Sequence, residues 1–323
     1  MTTLPPLTPD DLNALQAEFG KRLQIGESLA RHTSARLGGK ADALLTAGSM
    51  AELAQAATWL WRSGLAFIIL GSGSNVLVSD AGVRGVVVLN AARSLRFMDD
   101  PAQEPPLVWA ESGVNTGLLA RQAAQRGLAG MEWAAGIPGT MGGAVFGNAG
   151  AHGRDMANNL QMAEILHHQG YGNTEQWRGD RFEFTYRSSV LKRSQAAAQN
   201  QPWAVVLAVT LKLTRDEIKL IQERMDALVA IRRRTQPPGA SMGSMFKNPP
   251  GDFAGRLIEA AGLKGMRVGE AGISPLHANF FINYGQASAK DVFQLICMAR
   301  EKVLEQFGIN LELEVELIGE WQL

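Results

Sequence analysis

The segment Gly71-Ser-Gly-Ser-Asn75 sets two glycines between apolar runs, Leu65–Leu70 before it and Val76–Val78 after it. This spacing predicts a strand, a tight glycine turn and a second strand, then a turn over 79–85 and a third strand over 86–89. Glycine loops that hold nucleotides more often join a strand to a helix. A dinucleotide fingerprint needs G-x-G-x-x-G opening a helix, and a phosphate loop needs G-x-x-x-x-G-K-[ST]; neither pattern is present. Gly71 and Gly73 can adopt positive φ and let backbone amides converge on an anion with no Cβ in the way. An ordinary hairpin turn would use the same residues, and this segment alone leaves both readings open.

The 323 residues have room for two or three domains. Thirty-one basic side chains balance 31 acidic ones, so no net field selects nucleic acid or an anionic membrane as partner. The first ten residues lack a basic, apolar leader, and no apolar stretch has the length of a membrane span. A cytoplasmic protein without membrane insertion is expected. The single cysteine, Cys297, excludes an internal disulfide and a cysteine-rich zinc site, and no metal site is expected. Cys297 lies in an apolar helical stretch and reads as a small buried hydrophobe.

Periodicity places a short helix over 10–19 and a strand over 41–47, then a helix capped by Ser49 and Glu52 with Leu53, Ala56, Ala57 and Leu60 inward. With the strands at 65–90 these form a lobe over residues 1–93. The run Asp99–Pro106 reads as a boundary or a long hairpin. A second lobe, 94–222, holds a strand at 107–110, a helix at 116–126 and strands at 160–166 and 203–213. In the last of these Val205, Leu207, Val209, Leu211 and Leu213 alternate as for a sheet with one buried face. His167 and His168 read as exposed hairpin residues. Thr214 and Glu217 read as a capping box for a helix reaching about Arg233. The third unit, 223–323, contains a helix near 252–262, a strand near 279–283, a helix from Ser288 with Val292, Leu295, Ile296, Ala299 and Val303 inward, and a strand over 311–318.

Four segments carry chemistry. Residues 136–151 hold six glycines and Pro138, which precludes a long helix or a regular strand and suits close packing on a flat or charged ligand. Two such loops in neighbouring units suggest one extended ligand between them; a purely structural loop is the other reading. In Phe182–Ser189, Arg187 sits in a strand-like aromatic stretch, where a buried guanidinium needs a protein carboxylate or a substrate acid. In Gly243-Ser-Met-Phe-Lys-Asn-Pro249, Ser244 is not a nucleophile elbow, because no second glycine is in register; a hydroxyl capping a turn is the plain alternative. In Leu311–Gly319, Glu312, Glu314 and Glu316 alternate onto one strand face, for which solvation is the default.

Taken in order, Thr33–Gly39, Gly71–Leu77, Gly136–Gly143, Tyr186–Ser189, Gly243–Pro249 and Leu313–Gly319 closely resemble the motifs of the UDP-N-acetylenolpyruvoylglucosamine reductase (MurB) family, over nearly the whole chain. The short run from Tyr186 to the strand at 203, with Gln236-Pro237 before the serine motif, resembles the compact second type. The resemblance implies an α+β protein: a two-lobed FAD-binding fold of the vanillyl-alcohol oxidase (PCMH) type plus a C-terminal α/β substrate-binding domain. FAD is the implied cofactor and NADPH the reductant. The implied substrate is the enolpyruvyl ether of UDP-N-acetylglucosamine, reduced to UDP-N-acetylmuramate for peptidoglycan, and the chain is expected to act as a monomer. Gly71, Ser72, Gly73, Ser74 and Asn75 would cradle the pyrophosphate. Gly136, Ile137, Pro138, Gly139, Thr140, Gly142, Gly143 and Asn148 would line the flavin together with the Thr33–Gly39 turn.

By the same resemblance Arg187 pairs with the substrate carboxylate, Ser244 donates the proton to carbon, and Glu314 is a carboxyl kept protonated by a raised pKa beside the same centre. Lys247 and Asn248 are candidates for the UDP-sugar. Where relatives often carry Lys-Gln-Pro this chain has Thr235-Gln-Pro, so a diphosphate contact is expected from Arg234 or its neighbours Arg232 and Arg233. Two alternatives share the flavin fold: an oxidase turning over with oxygen, which would lack the Ser244–Glu314 pair, and a non-catalytic flavin-binding module.

Overall fold

The protein is described here by a computed structural model covering residues 4–102, 104–169, 172–197 and 202–321. The apolar runs around the first glycine turn form a four-stranded sheet in which Val83–Asn90 lies between Ala41–Ala47 and Phe67–Leu70, all parallel, with Leu23–Ile25 antiparallel at one edge. Parallel neighbours need a crossover, and helix Met50–Arg62 supplies one. Ser49 accepts the Glu52 N–H at its start, and Leu53, Ala56, Ala57 and Leu60 are buried. Val76–Val78, after the glycine turn, leaves this sheet and pairs in parallel with Glu316–Ile318 from the end of the chain.

The second sheet is antiparallel, in the order Thr174–Arg178, Leu160–His167, Ala204–Lys212, Leu107–Glu111, Leu95–Met98. Leu95–Met98 and Leu107–Glu111 are therefore the two arms of a hairpin. Its central strand departs from the one-sided burial expected. Val205 and Leu207 pack with the helix Met50–Arg62 core, whereas Val206, Val209 and Leu211 pack with Leu119, Ala123 and Val145. A register shift between Glu164 and Ile165 breaks the strict alternation, and helices cover both faces. His167 is not an exposed hairpin residue: its ring lies 5.4 Å from Trp177 and 5.9 Å from Trp203. His168 is exposed, with its ring 5.4 Å from Trp61.

The helix after this sheet spans Ile218–Thr235 and starts from Glu217, not from a Thr214 cap. Thr214–Arg215 instead pairs with Leu128–Ala129, so the Thr214 backbone is extended into a strand. A third antiparallel sheet, Ala240–Ser244, Phe280–Asn283, Ala271–Ile273 and Arg267–Val268, packs against helices Ala254–Ala260 and Ala289–Phe307. The latter carries the Ser288–Asp291 capping box, and its expected stripe is buried. The final strand is shorter than its alternation suggests, Glu316–Ile318, because the chain bends at Glu314–Val315. Among the described residues no helix is long and apolar enough to cross a membrane, and no cluster of His, Cys, Asp or Glu could hold a metal ion.

Candidate active site

The two glycine segments meet. The Ser74 hydroxyl donates to the Pro138 carbonyl at 3.3 Å, and a Cβ on Gly71 would fall 2.5 Å from Thr140 Oγ1. Gly73 has φ +58, and a Cβ there would lie 2.1 Å from the His32 carbonyl oxygen; its own carbonyl accepts the Ser34 N–H at 2.9 Å. Only glycine allows the Thr33–Gly39 turn to pack this closely. The run 136–151 is not wholly irregular: Met141–Gly147 forms a two-turn helix ended by Asn148 at φ 45. Gly142 lies tight on Ser112, with a Cβ there 3.0 Å from the serine Cβ, while Gly139 and Gly143 have more room.

A cavity of about 320 Å³ opens where the loops meet, lined by Gly71, Ser72, Asn90, Arg93, Asn115 and Thr140 among others. No carboxylate lines it, and Arg93 adds a cation. Hydroxyls, amides and one guanidinium around such a space fit the phosphate-bearing part of a flavin dinucleotide. Arg93 was not legible in the sequence, where it is one arginine after a strand.

Arg187, Ser244 and Glu314 come from distant stretches and converge through the backbone. Arg187 lies in a turn whose ends, Thr185 and Ser188, exchange both backbone hydrogen bonds at 3.1 Å, and not in a strand. It holds φ 56, a left-handed conformation uncommon outside glycine and found disproportionately at functional positions. Two contacts pin this turn to the glycine-rich run: Asn148 Nδ2 donates to the Thr185 carbonyl at 3.0 Å, and Ser189 Oγ donates to the Phe146 carbonyl at 2.7 Å. Ser244 ends the strand Ala240–Ser244, and Gly243 before it has φ 79. The next residue, Met245, accepts the Glu314 N–H at 2.9 Å, so Ser244 and Glu314 lie on adjoining backbones. Asn75 joins the same strand to the first glycine turn. Its side-chain amide donates to the Glu314 carbonyl at 3.0 Å, and its own carbonyl accepts the Glu316 N–H at 3.0 Å.

Glu314 Oε1 accepts from Arg187 Nε at 2.5 Å, with the carboxyl side chain 14% exposed and the guanidinium 24%. Burial pushes the Glu314 carboxyl above the ordinary range, against the charge and hydrogen bond of Arg187 and the charges of Lys192 and Lys247. The glutamates of this segment thus do not share one solvated face. Glu312 is open to solvent, Glu314 is turned inward by the bend, and Glu316 pairs with Lys192 at 2.6 Å. Lys192 escaped the sequence reading; its only signal is its place on the helix Val190–Ala197 that follows Arg187.

Of the remaining candidates, two border this site: the charge of Lys247 acts on Glu314, and the Asn248 N–H donates to the hydroxyl of Tyr186, the neighbour of Arg187, at 3.5 Å. Lys247 Nζ lies 3.0 Å from Glu312 Oε2, and the Asn248 side-chain oxygen accepts the Ala254 N–H that opens the next helix. Arg234 is exposed at the end of helix Ile218–Thr235. Asn148 is buried, with its amide hydrogen-bonded to Asp155, Thr185 and Ala157. Its side chain orders the Arg187 turn and does not face the cavity.

Residues 235–318 match the family model for the UDP-N-acetylenolpyruvoylglucosamine reductase C-terminal domain, and residues 41–171 match that for an FAD-binding domain. The chain is 44% identical over 298 residues to UDP-N-acetylenolpyruvoylglucosamine reductase of Chloroflexus aggregans, covering 92% of this chain and 97% of the relative. The Bacillus subtilis protein of that name is 38% identical over 306 residues, 94% of this chain and 96% of the relative. The crystal structure of the reductase (MurB) from Thermus caldophilus superposes with a TM-score of 0.74 at 36% identity, covering 92% of this chain and 98% of that one. The chain is therefore a flavin-dependent oxidoreductase and belongs to the UDP-N-acetylenolpyruvoylglucosamine reductase family.

Proposed function

We propose that the chain reduces UDP-N-acetyl-3-O-(1-carboxyvinyl)-glucosamine to UDP-N-acetylmuramate, a step of peptidoglycan precursor synthesis, with NADPH as reductant. In this reading residues 1–93 and 94–222 flank FAD, with Gly71–Asn75 and Gly136–Gly143 along it, and residues 223–323 receive the substrate. The bound flavin supplies the hydride that adds to the terminal vinyl carbon. The carbon bearing the carboxylate then carries negative charge that must be stabilised and quenched by one proton.

The observation that supports this is the buried Arg187–Glu314 contact, one backbone bridge from Ser244. A guanidinium can bind the substrate carboxylate through two parallel hydrogen bonds as charge flows into it. An ionised Glu314 would compete for Arg187 and repel that charge, whereas a protonated one releases the guanidinium and adds a donor. Burial favours the protonated form. Ser244 Oγ gives its proton to the carbanionic carbon and is reprotonated from solvent. Lys247 and Asn248 would hold the UDP-sugar.

The test is anaerobic rapid mixing of the flavin-loaded protein and its Ser244→Ala variant. Flavin bleaching by NADPH should be unchanged, while reoxidation by the enolpyruvyl substrate should slow by about 10²–10⁴-fold, the usual share of general acid catalysis. Equal slowing of both half-reactions would remove Ser244 from the role of proton donor.

A further inference from the structure

Ser244 stands at a break in its sheet. The strand Ala240–Ser244 pairs with Phe280–Asn283 through a register shift between Ser241 and Ser244, and Gly243 sits in that bulge at φ 79. A Cβ on Gly243 would meet nothing within 4 Å, so the positive φ, and not space, is what selects glycine there. A bulge next to an active site re-aims a side chain. The alternation of the strand then stops altogether: Met245 and Phe246 are consecutive and both fully buried. Their main-chain groups have left the regular ladder and still need partners, because a buried peptide group without one is costly.

On one edge a single residue supplies them. Asn279 is buried, and its main-chain carbonyl accepts the Met245 N–H at 2.7 Å. Its side-chain amide closes a ring of two hydrogen bonds with Phe246, accepting the N–H at 2.9 Å and donating to the carbonyl at 2.8 Å. The opposite edge faces the segment of the carboxyl: the Glu314 N–H donates to the Met245 carbonyl at 2.9 Å, and the Lys247 N–H to the Glu312 carbonyl at 2.9 Å. Residues 245–247 are thus one line of backbone between Asn279 and Glu314. Asn279 is itself fixed, since its N–H donates to His277 Nδ1 at 3.2 Å and the His277 ring lies 4.9 Å from that of Phe280. Burial pushes the His277 ring below its ordinary pKa, which leaves Nδ1 free to accept.

We infer that Asn279 is a positioning residue that sets the Ser244 hydroxyl against Glu314, its side-chain amide standing in for the strand that the bulge brings to an end. This role rests on the reading under Proposed function, in which Ser244 is the proton donor beside Glu314. The Ser244 hydroxyl makes no hydrogen bond with any described residue, so the backbone on either side of it is what aims it: Gly243 before, and the pair held by Asn279 after. With the amide removed, the buried Phe246 N–H and carbonyl must find other partners, and the chain moves with Ser244 on it. A displacement of about 1 Å at a reacting group costs about 10²-fold in rate.

Flavin-loaded Asn279→Ala is compared with wild type, Ser244→Ala and the double variant by anaerobic rapid mixing, and amide hydrogen exchange is followed at Phe246. Asn279→Asp keeps the acceptor for the Phe246 N–H and loses the donor to its carbonyl, and it takes the place of the alanine variant if that one does not fold. Flavin bleaching by NADPH should be unchanged, while reoxidation by the enolpyruvyl substrate should slow by about 10- to 100-fold. In the Ser244→Ala background the same substitution should slow it no further, because the group it aims is gone. Exchange at Phe246 should quicken by about tenfold, the worth of one ordinary hydrogen bond. Wild-type reoxidation at reduced thermal stability would make Asn279 structural only and overturn the inference, as would slowing that multiplies with that of Ser244→Ala. Reoxidation left intact by Ser244→Ala alone would sink the proposed proton donor, whereas Phe246 exchange left unchanged by the Asn279 variants would sink the clamp.

Discussion

Replacing Glu314 by Gln separates two descriptions of the buried carboxyl. Its Oε1 lies 2.5 Å from Arg187 Nε, and its side chain is 14% exposed. Were it ionised in the free enzyme, Gln would strand a half-buried guanidinium, a loss of about 3–5 kcal/mol for a fully buried pair and less here, because Arg187 keeps some solvent contact. A carboxyl held protonated by burial is close to Gln in shape, and Gln still accepts the Arg187 N–H. The loss is then that of one ordinary hydrogen bond at most, about 0.5–1.5 kcal/mol. The pH dependence decides between them. Burial raises the folded-state pKa of Glu314 above its unfolded value, so the folded protein keeps a proton that the unfolded chain releases. Stability from this group is complete below the unfolded carboxyl value of about 4.3 and is lost as pH rises through the folded value. Gln has no proton to lose. The advantage of wild type over Glu314→Gln should therefore shrink from acid toward neutral pH, by about 1.4 kcal/mol for each tenfold gain in proton affinity on folding. Urea unfolding of flavin-free protein, followed by tryptophan fluorescence at a series of pH values, measures it. An advantage that grows with pH would mean a carboxylate stabilised by Arg187 and would refute the protonated-acid reading.

Two further outcomes follow from the loop contacts. Gly71→Ala places its Cβ against Thr140 Oγ1 at 2.5 Å and should cost about 1–3 kcal/mol in thermal unfolding, with weakened flavin retention. Adding Thr140→Ala, whose remaining Cβ is at an ordinary 3.4 Å, should restore most of it; additive losses would show that the two loops do not touch. Asn75→Ala removes the amide that holds the Glu314 carbonyl as well as a residue of the proposed flavin cradle, so substrate-driven reoxidation should slow and flavin retention should weaken. Full flavin retention at an unchanged reoxidation rate would remove Asn75 from both roles.

Much of the local structure was legible because its causes are local. The Ser49 and Ser288 caps, the strand–turn–strand around Gly71–Asn75 and the buried stripe from Val292 to Val303 follow from residues within a few turns of each other. Local pattern failed where a distant neighbour supplied the hydrogen bonds. Thr214 was drawn from a helix cap into a strand by Leu128–Ala129, and the Glu312–Glu316 alternation was broken by a bend that turns one carboxyl inward.

The sequence by itself determined the glycine turn at Gly71–Asn75 and the Ser49 and Ser288 helix caps, because each is a short-range choice of backbone dihedrals. Only the tertiary structure decided that the chain's last strand returns to Val76–Val78 and sets Glu314 between the first glycine turn and Arg187. It likewise chose Arg232, of three adjacent arginines, to lie against Gly136. Pairings across some 240 residues leave no periodic trace in the sequence, since burial and charge at those positions are set by whichever surface packs there.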